Sequence, residues 1–220
     1  MINVGIIGAD TPDGGELIRL LAMHPDVELM GAQASGLDGV PVSRVHHGLI
    51  GETDLRFSST LDYARLNVLF VCSDVQFGVA EFTQMRIVRP DLKVIMLRAP
   101  KGIDMAGQGI VYGLPELNRK LLVRGATGAI VPTTFASMAL VALIPFAMHL
   151  LLSGEIDIHI SAPEAIIKVT DAETLKAEIE EKLREIQRSF NSSVKISLSE
   201  GATRRSAKTV SYTQLTQPTT

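Results

Sequence analysis

The chain has 220 residues, of which 46% are hydrophobic and 20% charged, a balance typical of a globular protein with a sizeable core. Its formal net charge of -3 predicts neither a nucleic-acid-binding surface nor a polybasic membrane patch. The single cysteine, Cys72, excludes an internal disulfide framework. With no signal peptide ahead of the first predicted strand, we expect a cytoplasmic protein.

The N-terminal residues have the pattern of a doubly wound nucleotide-binding sheet. An apolar run rich in β-branched residues, Ile2–Gly8, predicts a strand, and a turn containing Gly14 follows it. A helix is predicted from Asp13 to Met23, and His24-Pro25 ends it because the residue before a proline avoids the helical region. A second strand over Val27–Ala32 completes a strand, turn, helix and strand unit.

Alternation of strands and helices continues to about residue 153 and predicts an α/β domain, residues 1–153, with a Rossmann-like parallel sheet. Ser35–Asp54 is predicted to be a loop with at most short helices. The apolar stretch Phe135–Leu152 is interpreted as a helix buried on the sheet and ended by Gly154, not as a membrane span, because Pro145 lies inside it. The remaining predicted elements are strands at Leu55–Phe57, Asn67–Cys72, Lys93–Leu97 and Gly128–Val131, and a helix at Val79–Val88.

A small, shortened α+β domain is predicted over residues 154–209. Ile156–Ile160 and Val194–Leu198 alternate with a period of two, which is typical of half-exposed strands. Between them, Thr170–Glu173 fits a capping box, and the helix that follows has an apolar stripe that runs to Phe190. The last string, VSYTQLTQPTT at residues 210–220, resembles translated sequencing-adapter read-through, so we expect a non-native tail there.

Four stretches carry a family resemblance: Val4–Leu17, His24–Leu29, Gly39–Phe57 and the most specific, VYGLPELNR at Val111–Arg119. Together they resemble N-acetyl-γ-glutamyl-phosphate reductase, the NADPH-dependent, semialdehyde-forming enzyme of arginine biosynthesis. The resemblance implies a Rossmann domain followed by an α+β domain that carries much of the dimer contact. It therefore implies a homo-oligomer or a paralogue as partner.

The same resemblance implies which residues would form the catalytic site. The family's nucleophilic cysteine, at a helix N-terminus, corresponds to Thr134, and a threonine hydroxyl is a far poorer nucleophile than a thiolate at neutral pH. Cys72 ends a predicted mid-sheet strand and is interpreted as a buried, inert residue. Of the family's histidine-rich motif only His159 and the Pro163-Glu164 pair correspond, and His159 alone on an alternating strand favours a structural role.

Substrate-pocket residues implied by the resemblance lie in the retained GLPELNR stretch and are Glu116, Asn118 and Arg119. The family's acidic loop after the fifth strand corresponds to MLRAPKG, residues 96–102, so its acids are absent here. No metal site is predicted.

The cofactor implied by the resemblance is NADP, but the turn that would bind it is altered. The glycines Gly5, Gly8 and Gly14 remain, whereas Thr11 stands where the family has its middle glycine. The arginine that the family places after the second strand, for the 2′-phosphate, corresponds to Ser35.

Two carboxylates, those of Asp10 and Asp13, are predicted to lie where a diphosphate would bind. Each would disfavour that binding by about 1 kcal/mol in a watery dielectric. We therefore expect weak or absent NADP binding, and we expect the two acids to cap the first helix instead.

Three interpretations of function follow. The first is a reductase-like protein that keeps the fold, has lost catalysis, and acts by binding, regulation or scaffolding. The second is an active NAD(P)-dependent oxidoreductase that acts on an acyl phosphate, aldehyde or other carbonyl. The third is an authentic reductase whose active site is aligned differently.

Overall fold

The computed structural model describes residues 1–201, and its largest element is a seven-stranded parallel sheet. The strand order is β3-β2-β1-β4-β5-β7-β6, so β2 pairs with one side of β1 and β4 pairs with the other. The strands are β1 Ile2–Ile7, β2 Val27–Gln33, β3 Phe57–Ser58, β4 Val68–Val71, β5 Lys93–Met96, β6 Ile110–Tyr112 and β7 Gly128–Ile130. The helices among them are α1 Pro12–Ala22, α2 Val79–Val88 and α3 Pro115–Arg124. The predicted α/β, Rossmann-like fold is confirmed.

The core of this sheet lies on both of its faces. Ile6 and Ile7 are fully buried in separate clusters, because successive side chains of a strand point to opposite faces. Burial on both sides explains why the strands consist of continuous apolar runs. The carboxyl ends of β1 and β4 lie side by side at the point where the strand order reverses, which is the edge where ligands bind in open α/β sheets.

Some elements of this region differ from the prediction. The strand expected over Leu55–Phe57 lies at Phe57–Ser58, and Ser35–Asp54 contains two short 3₁₀ turns, Val42–Arg44 and His47–Leu49, as expected. The retained GLPELNR stretch, for which no secondary structure was predicted, follows strand β6 and begins helix α3. A three-residue strand is too short to show a period, and it was therefore missed.

The described residues from Thr133 onward form a second compact unit, separate from Met1–Pro132. It contains α4 Thr134–Met148, β8 Glu155–Ala162, α5 Glu164–Val169, α6 Ala172–Ile186 and β9 Ser193–Glu200. Strands β8 and β9 pair in parallel, with Ile158 opposite Ile196. Helix α4 packs against α6, and their buried residues include Leu140 and Ile179.

The two compact units meet along the chain at Pro132, before α4, and the domain boundary predicted at residue 153 stays a prediction. Helix α4 belongs to the second unit because it packs on α6. The predicted tail, residues 210–220, and the last residues of the predicted second domain lie outside the described residues.

Two helix ends in the second unit also differ from the prediction. Helix α4 contains Pro145 and ends at Met148, not near Gly154. Leu150, two residues later, takes the left-handed conformation, with φ 58°, that commonly follows a helix end. Asp171, not Thr170, caps α6, because its side chain accepts a hydrogen bond from the Glu173 N–H at 3.1 Å. Among the described helices, none is both long enough and apolar enough to cross a membrane.

Candidate functional site

The turn after β1 is closed by hydrogen bonds from Thr11. The Thr11 hydroxyl donates to the Gly8 carbonyl oxygen at 2.7 Å and accepts from the Gly14 N–H at 3.1 Å. Gly8 has φ +71°, and a Cβ on Gly14 would lie 2.5 Å from the Gly8 oxygen, so both positions need glycine. The structure brings Gly8, Thr11 and Gly14 together. Thr11, and not Asp10 or Asp13 as expected, is the N-cap residue of α1.

Gly5 and Ser35, the other residues implied for the cofactor, do not lie in this turn. Gly5 lies within β1, where a Cβ would be 2.6 Å from a methyl carbon of Leu66, so this glycine makes room for the Leu66 side chain. Ser35 is exposed just beyond β2.

Both acids of the turn have partners within the first unit. The Asp10 carboxylate accepts a hydrogen bond from the Gln76 side-chain amide at 2.9 Å. The Asp13 carboxylate pairs with the Arg98 guanidinium at 3.2 Å. Sequence reasoning missed Arg98 because it follows β5, far along the chain from the turn, and the contact exists only once the sheet is assembled.

A histidine that sequence reasoning did not single out supports the turn from the other side. The His46 ring Nε2 lies 2.7 Å from the Ala9 carbonyl oxygen, and the ring stands edge-on to Phe57 with 6.2 Å between ring centroids. A Cβ on Gly15 would lie 2.4 Å from Nδ1 of the same ring. The only sequence signal for His46 was its place in the retained stretch Gly39–Phe57.

Cys72 follows β4 at the same edge of the sheet and is 3% exposed. Burial, with a smaller contribution from the Asp13 carboxylate, raises the pKa of the Cys72 thiol to about 12. The thiol is therefore neutral near pH 7, and its predicted burial is confirmed.

At the start of α4, a carboxylate from another helix occupies the N-terminus. Thr133 is the N-cap residue, and its hydroxyl donates to Glu178 Oε2 at 2.9 Å. The Thr133 N–H also points to Glu178 Oε1, at 3.4 Å. Thr134, the position implied for the nucleophile, is the next residue and is exposed. Sequence reasoning found no carboxylate beside it because Glu178 comes from α6.

His159 lies in the middle of β8 with its side chain exposed. Its neighbours Ile158 and Ile160 point to the opposite, more buried face, and Ser197 of β9 is its partner in the register. This alternation is the pattern of a solvated strand face.

The residues implied for a substrate pocket lie on α3 and divide into two groups. Glu116 and Arg119 are exposed and line an open groove with Leu122. Asn118 instead donates from its side-chain amide to the Tyr112 carbonyl oxygen at 3.0 Å, where its backbone leaves the helical conformation. This contact ties the start of α3 to β6, which accounts for the asparagine without a ligand.

Comparison with known proteins identifies related sequences over most of this region. Residues 3–124 match the family described as "Semialdehyde dehydrogenase, NAD binding domain". The N-acetyl-gamma-glutamyl-phosphate reductase of Bacteroides thetaiotaomicron is 38% identical over 159 residues, which are 72% of this chain and 49% of that protein. That of Phocaeicola vulgatus is 39% identical over the same shares of the two chains. The chain thus spans about half the length of the curated relatives it matches.

Solved structures resemble the fold at low sequence identity. The aspartate semialdehyde dehydrogenase of Candida albicans, determined with NADP, has a TM-score of 0.66 and 14% identity, and the match covers 92% of this chain and 69% of that one. The aspartate semialdehyde dehydrogenase II of Vibrio cholerae has a TM-score of 0.58 and 16% identity, with 92% and 68% covered. At these identities the likeness concerns the fold alone.

Proposed function

Because the chain belongs to the semialdehyde dehydrogenase family, as its motifs predicted, we propose that it is a reductase-like protein that has kept the fold and lost the catalyst. By resemblance its subfamily is that of the N-acetyl-γ-glutamyl-phosphate reductases of arginine biosynthesis. Its role would be to bind or to regulate, not to reduce an acyl phosphate.

The observation that carries this proposal is the contact of the Glu178 carboxylate with the N-cap residue of α4. A thiolate at such a position would be stabilised by the partial positive charge of the helix end. Here the position implied for the cysteine is Thr134, and the carboxylate of Glu178 already lies at the helix end against Thr133. A second negative charge beside that carboxylate would be disfavoured, so the site suits neither a thiolate nor an oxyanion.

The second support is the cofactor turn, whose side chains do not fit a dinucleotide diphosphate as they stand. The Gly14 N–H, which would face the diphosphate, is taken by the Thr11 hydroxyl. The carboxylates of Asp10 and Asp13 lie in the same turn, partly buried. We therefore expect NADP, the cofactor class of the family, to bind weakly or not at all.

The proposed role is to pair with a second chain. By resemblance, the family's α+β domain carries much of the dimer contact, which supports pairing with either a second copy or an active paralogue. Co-purification with an active reductase of this family, together with a change in that enzyme's kcat or KM, would support the pairing.

The experiment that tests the catalytic part combines binding and turnover. We expect no saturable NADPH fluorescence change below millimolar cofactor and no NADPH-dependent reduction. A dissociation constant in the low micromolar range would contradict the loss of the cofactor site, and turnover by the unaltered chain would contradict the loss of the catalyst.

A matched pair of variants then tests the α4 N-terminus. Thr134→Cys with Glu178→Gln should give a thiol that alkylates faster at pH 7 than the thiol of Thr134→Cys alone, because the neighbouring charge is gone. If both thiols react at the same rate, Glu178 does not control this position.

A second candidate function is an active NAD(P)-dependent oxidoreductase that transfers hydride directly to an aldehyde or other carbonyl. The retained turn geometry of Gly8 and Gly14 favours it. Thiol-independent oxidation of NADPH in the presence of a panel of small aldehydes would support it over the degenerate reductase.

A further inference from the structure

The ion pair between Asp13 and Arg98 joins two elements at the ligand-binding edge of the sheet. Asp13 lies in the first turn of α1, where the helix end favours negative charge. Arg98 follows β5, and its backbone N–H points to the Val71 carbonyl oxygen at the end of β4, at 3.3 Å. The backbone of Arg98 is thus held to the sheet, and its guanidinium pairs with Asp13 of α1.

The pair has the chemistry of a bound phosphate and its cationic partner. An anion at a helix N-terminus, held by an arginine, is the arrangement by which nucleotide sites bind phosphate. In this chain the anion is the Asp13 carboxylate, 3.2 Å from Arg98. Residues 3–124, which contain both side chains, are the residues that match the NAD-binding family.

We propose that Asp13 is an internal competitor for the diphosphate of a dinucleotide, because its carboxylate pairs with Arg98 in the first turn of α1, in the place of the ligand. The inference rests on the proposed function, since it explains why the turn would bind NADP weakly. It adds that the loss is reversible: Arg98 is a latent phosphate-binding residue that one neutralising substitution releases.

The exposure of the pair makes this exchange testable without unfolding the protein. The Asp13 and Arg98 side chains are 42% and 56% exposed, and an ion pair of that kind contributes little to folding stability. Neutralising Asp13 removes one repulsive charge from the turn and releases one attractive charge. Together these changes should tighten diphosphate binding about tenfold or more.

The test measures binding of ADP and of NADPH to the full chain by calorimetry at low ionic strength. Asp13→Asn should bind both at least about tenfold more tightly than the unaltered chain. Glu16→Gln is the matched control, because Glu16 is an exposed acid of the same helix in an ion pair with Arg19. It should change affinity less than twofold, and a second variant, Asp13→Ser, should repeat the gain if the asparagine disturbs the turn.

Adding Arg98→Gln to Asp13→Asn should return the affinity to that of the unaltered chain. The inference is overturned if Asp13→Asn binds no better than Glu16→Gln, or if its gain survives Arg98→Gln. Low-micromolar binding of NADPH by the unaltered chain would instead contradict the proposed function. The ratio between the variants would still decide the role of Asp13.

Discussion

The Cys72 thiol should be almost unreactive in the folded protein, and its reactivity distinguishes thiol-based catalysis from its loss. Burial raises the pKa of Cys72 from its ordinary value of 9.0 to about 12. At pH 8 an ordinary thiol of that kind is about 10% thiolate, whereas a thiol of pKa 12 is about 0.01% thiolate. Because the thiolate is the reactive form, labelling should slow about a thousandfold on folding.

The assay follows the release of nitrothiobenzoate from Ellman's reagent at pH 8, in buffer and in urea. Cys72 is the only cysteine in the chain, so the signal has one source, and Cys72→Ala is the blank. Local opening of the fold sets a floor to the protection, so we expect at least a hundredfold difference between the two conditions. A folded rate within tenfold of the unfolded rate would refute the burial argument and restore Cys72 as a candidate nucleophile.

Three further predictions concern stability. The neutral Cys72 thiol stabilises the fold below pH 9, and this contribution is lost as pH rises toward 12. In urea titrations, the free energy of unfolding should therefore fall by about 2 kcal/mol more than that of Cys72→Ala between pH 8 and 10.5. Burial alone would raise the pKa of Glu180, but hydrogen bonds from the Val194 N–H and from Arg184 outweigh it and lower the pKa. Glu180→Gln should therefore destabilise by about 1 to 2 kcal/mol at pH 7, a difference that shrinks as pH falls below about 4.5. Leu140→Ala, at a fully buried position of α4, should lower the free energy of unfolding by about 2 to 5 kcal/mol in urea titrations. Val141→Ala, on the exposed side of the same helix, should lower it by under about 1 kcal/mol.

The fold could be predicted from sequence where elements are long and periodic. Helix α2 was predicted with the bounds Val79–Val88 that the structure has, and β1 and β4 were found because their apolar runs are buried on both faces. Strand β6 was missed because three residues carry no period. The end of α4 was misplaced because Leu150, and not a glycine, takes the left-handed position after the helix.

The candidate site was less predictable, since its decisive contacts are tertiary. The family resemblance implied Thr134 as the nucleophile's position, and this stays a prediction. The hydrogen bond from its neighbour Thr133 to Glu178 joins residues that are distant in sequence. The same holds for the pair between Asp13 and Arg98. Charges on separate elements reveal their partners only after the elements pack, so sequence reasoning expected the turn's acids to cap α1 and to repel a diphosphate, and it did not foresee their partners.

In each unit, a carboxylate of the chain itself lies near the N-terminus of one helix. Asp13 lies in the first turn of α1, and Glu178 binds the N-cap residue of α4, so each helix end that would bind an anion by family resemblance has a carboxylate from the chain itself. Such contacts stabilise a helix, because they offset its partial positive end and its unpaired N–H groups. Removing Glu178 should therefore lower the melting temperature and yield no catalysis, since Thr134, which is already exposed, is no nucleophile. A fold that gains stability from groups at its helix ends can persist without turnover, and this is the physical argument for the binding role that we propose.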